Sequence, residues 1–399
     1  MNQGMSTTIY LDNNATTRTD PRVLEQMLPF FLEDYGNASS TNHTFGKKAA
    51  EGVQTARLRI AELIDATDRE ITFTSGATEA INMAIKGVFE RYQQIGKHII
   101  TCRTEHKAVL DVCRTLEKKG ADITYLAVDG SGNINLQDLK AALRKDTILI
   151  SLMHANNETG VIHPIEKVAE ICSQNNILFF CDATQSIGKI PLSTKNTAID
   201  LIAFSAHKIY GPKGVGALYI RRKAKRIQIE PLINGGGQER SLRGGTLNVP
   251  GIVGMGAAAL LCKELMSEEK NRLQALRSHL EKSLLKLEGT YINGLESNRL
   301  SHISNITFRF LKAEQIMVSL RKIAMASGSA CSTGSLDPSH VLLAMGLSRE
   351  DAHGSLRLSL GRFNTKEEID LVIELLSKKI NELREESPAW QLYKKGLID

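Results

Sequence analysis

Through the first two thirds of the chain, short apolar runs alternate with stretches whose apolar positions recur at helical spacing. Strand-like runs stand at 71–74, 98–101, 148–153, 177–180, 201–204 and 215–220. Helical patterns begin near Ala77 and run through Val109 and Leu116. Alternation of this kind predicts an α/β fold, a mostly parallel sheet covered by helices on both faces. Ligands of such sheets collect at the carboxyl ends of the strands. Thr74, Ser75, His106, Asn157, Asp182 and the tetrapeptide Ser205-Ala206-His207-Lys208 all fall just after predicted strands, so they can converge without being neighbours in sequence. The last third changes character. A long helical region is expected over 255–287, then strands at 304–310 and 356–360, then a helix over 366–383. That last helix opens with a capping box, Thr365-Lys366-Glu367-Glu368. The mixture predicts a second, smaller α+β domain.

Charge and composition narrow the function classes. The 399 residues are 42% hydrophobic and 24% charged, ordinary for a soluble globular protein. Fifty Lys+Arg against 44 Asp+Glu give a formal +6 without a concentrated block, and only 5% of residues are aromatic, so direct nucleic-acid binding is not expected. The densest basic run, Arg221-Arg222-Lys223 with Lys225-Arg226, reads as a solvated loop. Asp12, Arg18, Asp20 and Arg22 interrupt the N-terminal stretch, which argues against a signal peptide. The longest nearly apolar run, 251–262, contains three glycines and is too short to span a bilayer. A cytoplasmic protein without a membrane partner is expected. Six cysteines show neither Cys-x-x-Cys nor zinc-ligand spacing, so no resident metal is expected. Five of them sit in apolar periodic segments and read as small buried hydrophobes. Cys331 is different. It lies in Ser327-Gly328-Ser329-Ala330-Cys331-Ser332-Thr333-Gly334-Ser335, and is either an incidental exposed thiol or a nucleophile on a mobile loop.

The chemistry concentrates at Lys208. A lysine directly after an apolar strand, flanked by Ser205 and His207 and followed by Gly211-Pro212-Lys213-Gly214, is suited to holding an aldehyde cofactor once desolvation lets it shed its proton. Pyridoxal phosphate also needs an acid near its ring nitrogen and donors around its phosphate. Asp182-Ala183-Thr184-Gln185 ends the preceding strand and supplies the acid. Ser205 and His207 can donate to a phosphate, and Ser75-Gly76-Ala77-Thr78 opens a helix whose backbone N–H groups form an anion site. Taken alone, Ser-x-His-Lys is more often a surface lysine at a strand end, and Ser-Gly-Ala-Thr a plain N-cap. The aspartate strand, lysine strand and glycine turn in this order favour the cofactor. No Gly-x-x-x-x-Gly-Lys-Ser/Thr loop is present, which removes the nucleotide-phosphate alternative.

From Tyr10-Leu11-Asp12-Asn13-Asn14-Ala15-Thr16-Thr17 to Arg357-Leu358-Ser359-Leu360-Gly361-Arg362 the chain resembles the NifS/IscS-type cysteine desulfurases. Further matching blocks are Ser75-Gly76-Ala77-Thr78-Glu79, Thr104-Glu105-His106, Asn156-Asn157-Glu158-Thr159-Gly160, Arg243-Gly244-Gly245-Thr246 and Ser327-Gly328-Ser329-Ala330-Cys331. The resemblance implies the pyridoxal-phosphate-dependent transferase fold type I. A large domain over 15–260 would carry a seven-stranded, mostly parallel sheet, and a small domain over 1–14 and 261–399 would carry the Cys331 loop. It implies that Ala77, Thr78, Ser205 and His207 hold the cofactor phosphate, Asp182 the pyridine nitrogen and Gln185 the ring hydroxyl oxygen. His106 would stack over the ring and move protons, and Asn157 would stand beside ring and substrate. Arg357, placed at the opening of a strand, would grip the carboxylate of L-cysteine with its two-pronged guanidinium. Cys331 would take the sulfur as a persulfide, release alanine, and pass the sulfur to an Fe–S scaffold or another acceptor, touching an Fe–S cluster only transiently. Thr246 would reach the phosphate of the neighbouring subunit in a homodimer. Departures from the family pattern are the order Ser332-Thr333, Gln238 where histidine is usual, and Leu343 for a frequent arginine. Ser387-Pro388-Ala389-Trp390 looks more like the nitrogen-fixation-associated branch. Two other readings compete. A selenocysteine lyase-like enzyme would carry Arg-x-Gly-His-His-Cys at the short loop, which this chain lacks. A non-catalytic scaffold would not need Lys208, Asp182, His106, Arg357 and Cys331 together.

Overall fold

The computed structural model describes residues 8–222, 227–327 and 337–398. Its centre is a seven-stranded sheet in the spatial order Ile71–Thr74, Gly216–Ile220, Leu201–Ser205, Leu178–Asp182, Thr147–Met153, His98–Cys102, Asp122–Leu126. The last five of these run parallel to one another, and Gly216–Ile220 is antiparallel to both of its neighbours. Six strands match the expected apolar runs. The seventh, Asp122–Leu126, was not anticipated, because it is an edge strand with only Leu126 buried and lacks a continuous apolar signature.

Each face of the sheet buries its own core. On one side Ile81, Ile85, Val88 and Phe89 of helix Ala77–Tyr92 pack with Val109, Val112 and Leu116 of helix Lys107–Glu117. On the other, helices Thr44–Leu63 and Ile165–Gln174 join the first half of the long helix Val249–Leu284. That long helix begins six residues before the expected 255. Its early glycines look like helix breakers in sequence but serve close packing: a Cβ on Gly256 would stand 2.4 Å from Ala56 Cα. By length and hydropathy this helix alone among the described residues could cross a membrane. Most of its apolar stretch is buried inside the protein, as in a core helix.

The second half of the same helix leaves the sheet and joins a third core. Leu273, Leu276, Leu280 and Leu284 pack there with Ile306 and Phe308, Leu356 and Leu358, and Ile369, Val372, Leu376 and Ile380 of helix Lys366–Glu386. The capping box at Thr365 and Glu368 is formed. A small antiparallel sheet runs Ala326–Ser327, Ser355–Ser359, Ile303–Phe308, Thr290–Ile292. Ile9 and Leu11 also belong to this core, and Ile9–Tyr10 pairs in parallel with Ile323–Ala324. The expected boundary at 260/261 thus falls inside one unbroken helix whose two halves serve different cores.

One surface expectation is corrected. Arg221 is partly buried, and its guanidinium donates to the carbonyls of Ile199, Thr194 and Thr197, so it braces a turn where a solvated side chain was expected. Lys223, Lys225 and Arg226 lie outside the described residues.

Candidate active site

At the carboxyl ends of the parallel strands lies a cavity of about 610 Å³. Its lining includes Ala77, Thr78, His106, Asn157, Asp182, Gln185, Ser205, His207, Lys208 and Arg357. Sequence reasoning had placed every one of these in a single site. Two further candidates remain. Cys331 lies outside the described residues, and Thr246 is exposed and not among the lining residues of its own chain's cavity. Arg243, three residues earlier, is tied to Glu79 at 2.9 Å, so the chain leading to Thr246 is anchored on helix Ala77–Tyr92 while Thr246 itself faces outward.

Lys208 ends a single 3-10 turn, Ala206–Lys208, that follows strand Leu201–Ser205. Its Nζ donates to the backbone carbonyls of Asn14 and, at 2.7 Å, Ala15. The N-terminal segment therefore forms a wall of the site. Thr17 N donates to the His207 carbonyl at 2.9 Å, and Tyr210 N donates to Thr17 Oγ1 at 2.8 Å, fastening this segment across the lysine turn. Asn14, Ala15 and Thr16 all line the cavity. Sequence reasoning gave them no role, and the burial of Asn13, Asn14 and Thr17 beside them emerges only in the fold.

Asp182 is the last residue of its strand and only 6% exposed. Its Oδ1 accepts from the Thr184 backbone N–H at 2.9 Å and from the Thr184 hydroxyl, which fixes the rotation of the carboxylate. His106 is the N-cap of helix Lys107–Glu117, its Nδ1 accepting from Ala108 N–H at 3.1 Å. The ring is thereby held at the cavity wall with a defined orientation. His207 Nδ1 meets Thr16 Oγ1 at 3.2 Å. Burial, with the nearby charges of Lys208, Lys213 and Lys189, pushes His207 down to about 4, so its ring is neutral at neutral pH. Glu79 accepts from Ser75 N–H at 2.8 Å, and its charge beside the helix N-terminus is balanced by Arg243.

Arg357 is the third residue of strand Ser355–Ser359, not its opening residue, and it is 2% exposed. Nη2 pairs with Asp12 at 2.8 Å and Nη1 donates to the Asn157 carbonyl at 3.1 Å. That carbonyl also accepts from Asn14 Nδ2 at 2.9 Å. Arg357 Nε is buried without a partner. So is Gln185 Oε1, while Gln185 Nε2 donates to the Asn14 carbonyl at 3.1 Å. In this amide orientation Oε1 is the unpaired atom, and half a turn of the amide would exchange donor and acceptor.

Arg357 and Gln185 both line the cavity and each carries an unpaired polar atom, so an acceptor such as a carboxylate suits Arg357 and a hydroxyl suits Gln185. Add a lysine amine, a fixed carboxylate at Asp182, and a helix N-terminus with Thr78, Ser205 and a neutral His207, and the donor set fits pyridoxal phosphate. Among the described residues no group of three or more His, Cys, Asp or Glu could hold a metal ion.

Comparison with known proteins gives a consistent result. A family model described as Aminotransferase class-V matches residues 9–372. Cysteine desulfurase IscS of Pectobacterium carotovorum is 52% identical over 395 residues, 98% of each chain. That of Serratia proteamaculans is 51% identical, with the same coverage. A solved NifS-like protein superposes with a TM-score of 0.86 at 42% identity, covering 94% of this chain and 99% of its own. SspA in complex with cysteine gives 0.80 at 38% identity, covering 90% of this chain and all of its own.

Proposed function

The chain belongs to the aminotransferase class-V family and is a cysteine desulfurase, and we propose that it works with pyridoxal phosphate on Lys208 and delivers the sulfur of L-cysteine to Cys331. The observation that carries the reading is the convergence of Lys208, Asp182, His106 and Arg357 on one cavity with Arg357 Nε unpaired. SspA binds cysteine, and the same substrate is carried to this chain.

Bound here, pyridoxal phosphate supplies an electron sink for charge that develops on the carbons of an attached amino acid. The residues do the rest. Ala77 N–H, Thr78, Ser205 and His207 hold the phosphate, and Asp182 holds the proton on the pyridine nitrogen. Arg357 receives the substrate carboxylate through Nε while Asp12 and Asn157 keep its guanidinium plane fixed. Lys208 Nζ would hold the cofactor's aldehyde carbon and, as a neutral amine, would take the α-proton of cysteine. The carbonyls of Asn14 and Ala15 hold that amine between steps. His106 exchanges its proton through Nε2, since Nδ1 is committed to Ala108.

The transfer balances without an external oxidant. The Cβ–S bond of cysteine breaks, a bond forms between that sulfur and the Cys331 thiolate, and Cβ gains a proton, so L-cysteine becomes L-alanine and Cys331 becomes a persulfide. An Fe–S scaffold or another sulfur-acceptor protein then takes the persulfide sulfur. We place the enzyme in the cytoplasm as a homodimer, with Thr246 of each chain completing the other's phosphate site. Incubating the purified protein with pyridoxal phosphate, L-cysteine and a thiol tests the activity. Equimolar alanine and sulfide are expected, and sulfide with pyruvate in place of alanine would refute it.

A further inference from the structure

Lys189 is a second amine close behind the catalytic lysine, and the reaction described above does not use it. It lies on the turn that leaves strand Leu178–Asp182, four residues after Gln185. Gly188, with φ +68°, lets this turn press against the long helix: a Cβ there would stand 2.9 Å from Cys262. Lys189 Nζ lies 3.1 Å from His302 Nε2, and the same Nε2 lies 3.1 Å from Asn14 Oδ1. Asn14 is 1% exposed and is the hub of the site wall. Its carbonyl accepts from Lys208 Nζ and Gln185 Nε2, and its amide donates to the Asn157 carbonyl.

We propose that Lys189 is a positioning residue which, acting through His302 and Asn14, sets the carbonyl pair that receives the amine of Lys208. The proposal rests on the functional reading above. Its physical basis is that one ring nitrogen serves two neighbours. Asn14 Oδ1 can only accept, so Nε2 must carry the hydrogen for that contact to be favourable. Nε2 then meets Lys189 as a donor too, which requires a neutral Lys189 amine. When Lys189 takes up a proton it has only hydrogens to offer. The imidazole proton must then move to Nδ1 so that Nε2 can accept, and Asn14 loses its donor. One proton is gained in the exchange, and Asn14 is released.

The surroundings keep this balance near neutrality. Facing Lys189 are Lys208 and Tyr210 from the lysine turn, and Cys262, Glu269 and Lys270 from the long helix; Arg277 stands near His302. Burial holds Cys262 as a neutral thiol, pushed up to about 11, and Glu269 is paired with Arg362. Lys270 is exposed. Among the described residues none forms an ion pair with Lys189. Burial, reinforced by the charge of Lys208, pushes Lys189 down to about 7. His302, buried beside Lys189 and Arg277, is held well below its ordinary value and stays a neutral imidazole.

The test follows the holoenzyme between about pH 6 and pH 8, reading kcat, KM for cysteine and the visible absorbance of the Lys208-linked cofactor. A single group near 7 predicts an about tenfold rise in wild-type kcat across that range, with KM changed less than about twofold and a matching absorbance transition. Lys189→Met leaves Nε2 to Asn14 alone and should hold the high-pH spectrum and rate throughout. Lys189→Arg, always charged, should hold the low-pH form throughout. His302→Leu cuts the relay while leaving Lys189, and should also abolish the transition, so the test survives if Lys189→Met does not fold. Wild-type transitions retained in all three variants would overturn the proposal. A wild-type protein with neither visible absorbance nor alanine production would instead overturn the functional reading.

Discussion

Replacing Arg357 by lysine separates substrate recognition from structural support. In the structure Arg357 makes two contacts with its Nη atoms, to Asp12 and to the Asn157 carbonyl, and leaves Nε buried without a partner. A lysine at this buried mid-strand position conserves the charge, but its single nitrogen cannot hold Asp12 and Asn157 and also meet a carboxylate in the guanidinium plane. A hydrogen bond to a charged group contributes about 1.5–3 kcal/mol, so loss of the substrate contact should lower kcat/KM for cysteine by about 10- to 150-fold. Because Asp12 and Asn157 also lose their partner, part of the damage falls on any substrate. The comparison with cysteamine, which lacks the carboxylate, isolates the rest. Sulfide release from both substrates in wild type and Arg357→Lys gives the ratio, with Asp12→Asn as a control that disturbs the support alone. We expect cysteine to lose most of its advantage over cysteamine in Arg357→Lys and to keep it in Asp12→Asn. Equal losses for the two substrates in Arg357→Lys would show that the residue serves the fold or the cofactor and not the carboxylate.

Lys208→Ala should abolish alanine production and the visible absorbance of a lysine-linked cofactor while leaving some phosphate-anchored binding, measurable by equilibrium dialysis. Asp182→Ala breaks a buried charge pair at a cost of about 3–5 kcal/mol and should show as weakened cofactor retention on gel filtration; unchanged cofactor content with unchanged turnover would remove Asp182 from the site. Burial pushes Glu158 up to about 7, so the folded protein binds its proton more tightly than the unfolded chain, and this contribution to stability is present below about pH 4.5 and lost as pH rises to about 7. Glu158→Gln should therefore gain on wild type by about 1.4 kcal/mol per pH unit through that window and level off above it in thermal melts. Mixed dimers of Lys208→Ala and Thr246→Asp chains should recover activity at one site each if Thr246 works in trans, and should stay as inactive as both parents if it works in cis.

Much of this was legible in the sequence because strand ends in a parallel sheet are marked by where an apolar run stops. Ser75, His106, Asn157, Asp182 and Lys208 all stood at such stops, and the structure brings them to one cavity. What escaped detection had no periodic signature. Asn14 and Ala15 wall the site through backbone carbonyls, and backbone acceptors leave no trace in residue type. Strand Asp122–Leu126 is an exposed edge, and the start of helix Val249–Leu284 is hidden by Gly251 and Gly254, the second of which packs closely against Met27 and Pro212. Arg357 was assigned to a carboxylate by residue type, but its burial and its tie to Asp12 are tertiary facts that no local pattern encodes.

The central claim is that sulfur passes through Cys331, and mass spectrometry of the intact and digested protein after a single exposure to L-cysteine tests it most directly. The account predicts one added sulfur atom on the peptide containing Cys331, alanine in equal amount, and neither in Lys208→Ala. In Cys331→Ser both the added sulfur and the alanine should collapse while cysteine still perturbs the cofactor absorbance. Undiminished alanine production by Cys331→Ser, or a wild-type protein that makes alanine without sulfur ever appearing on Cys331, would contradict it.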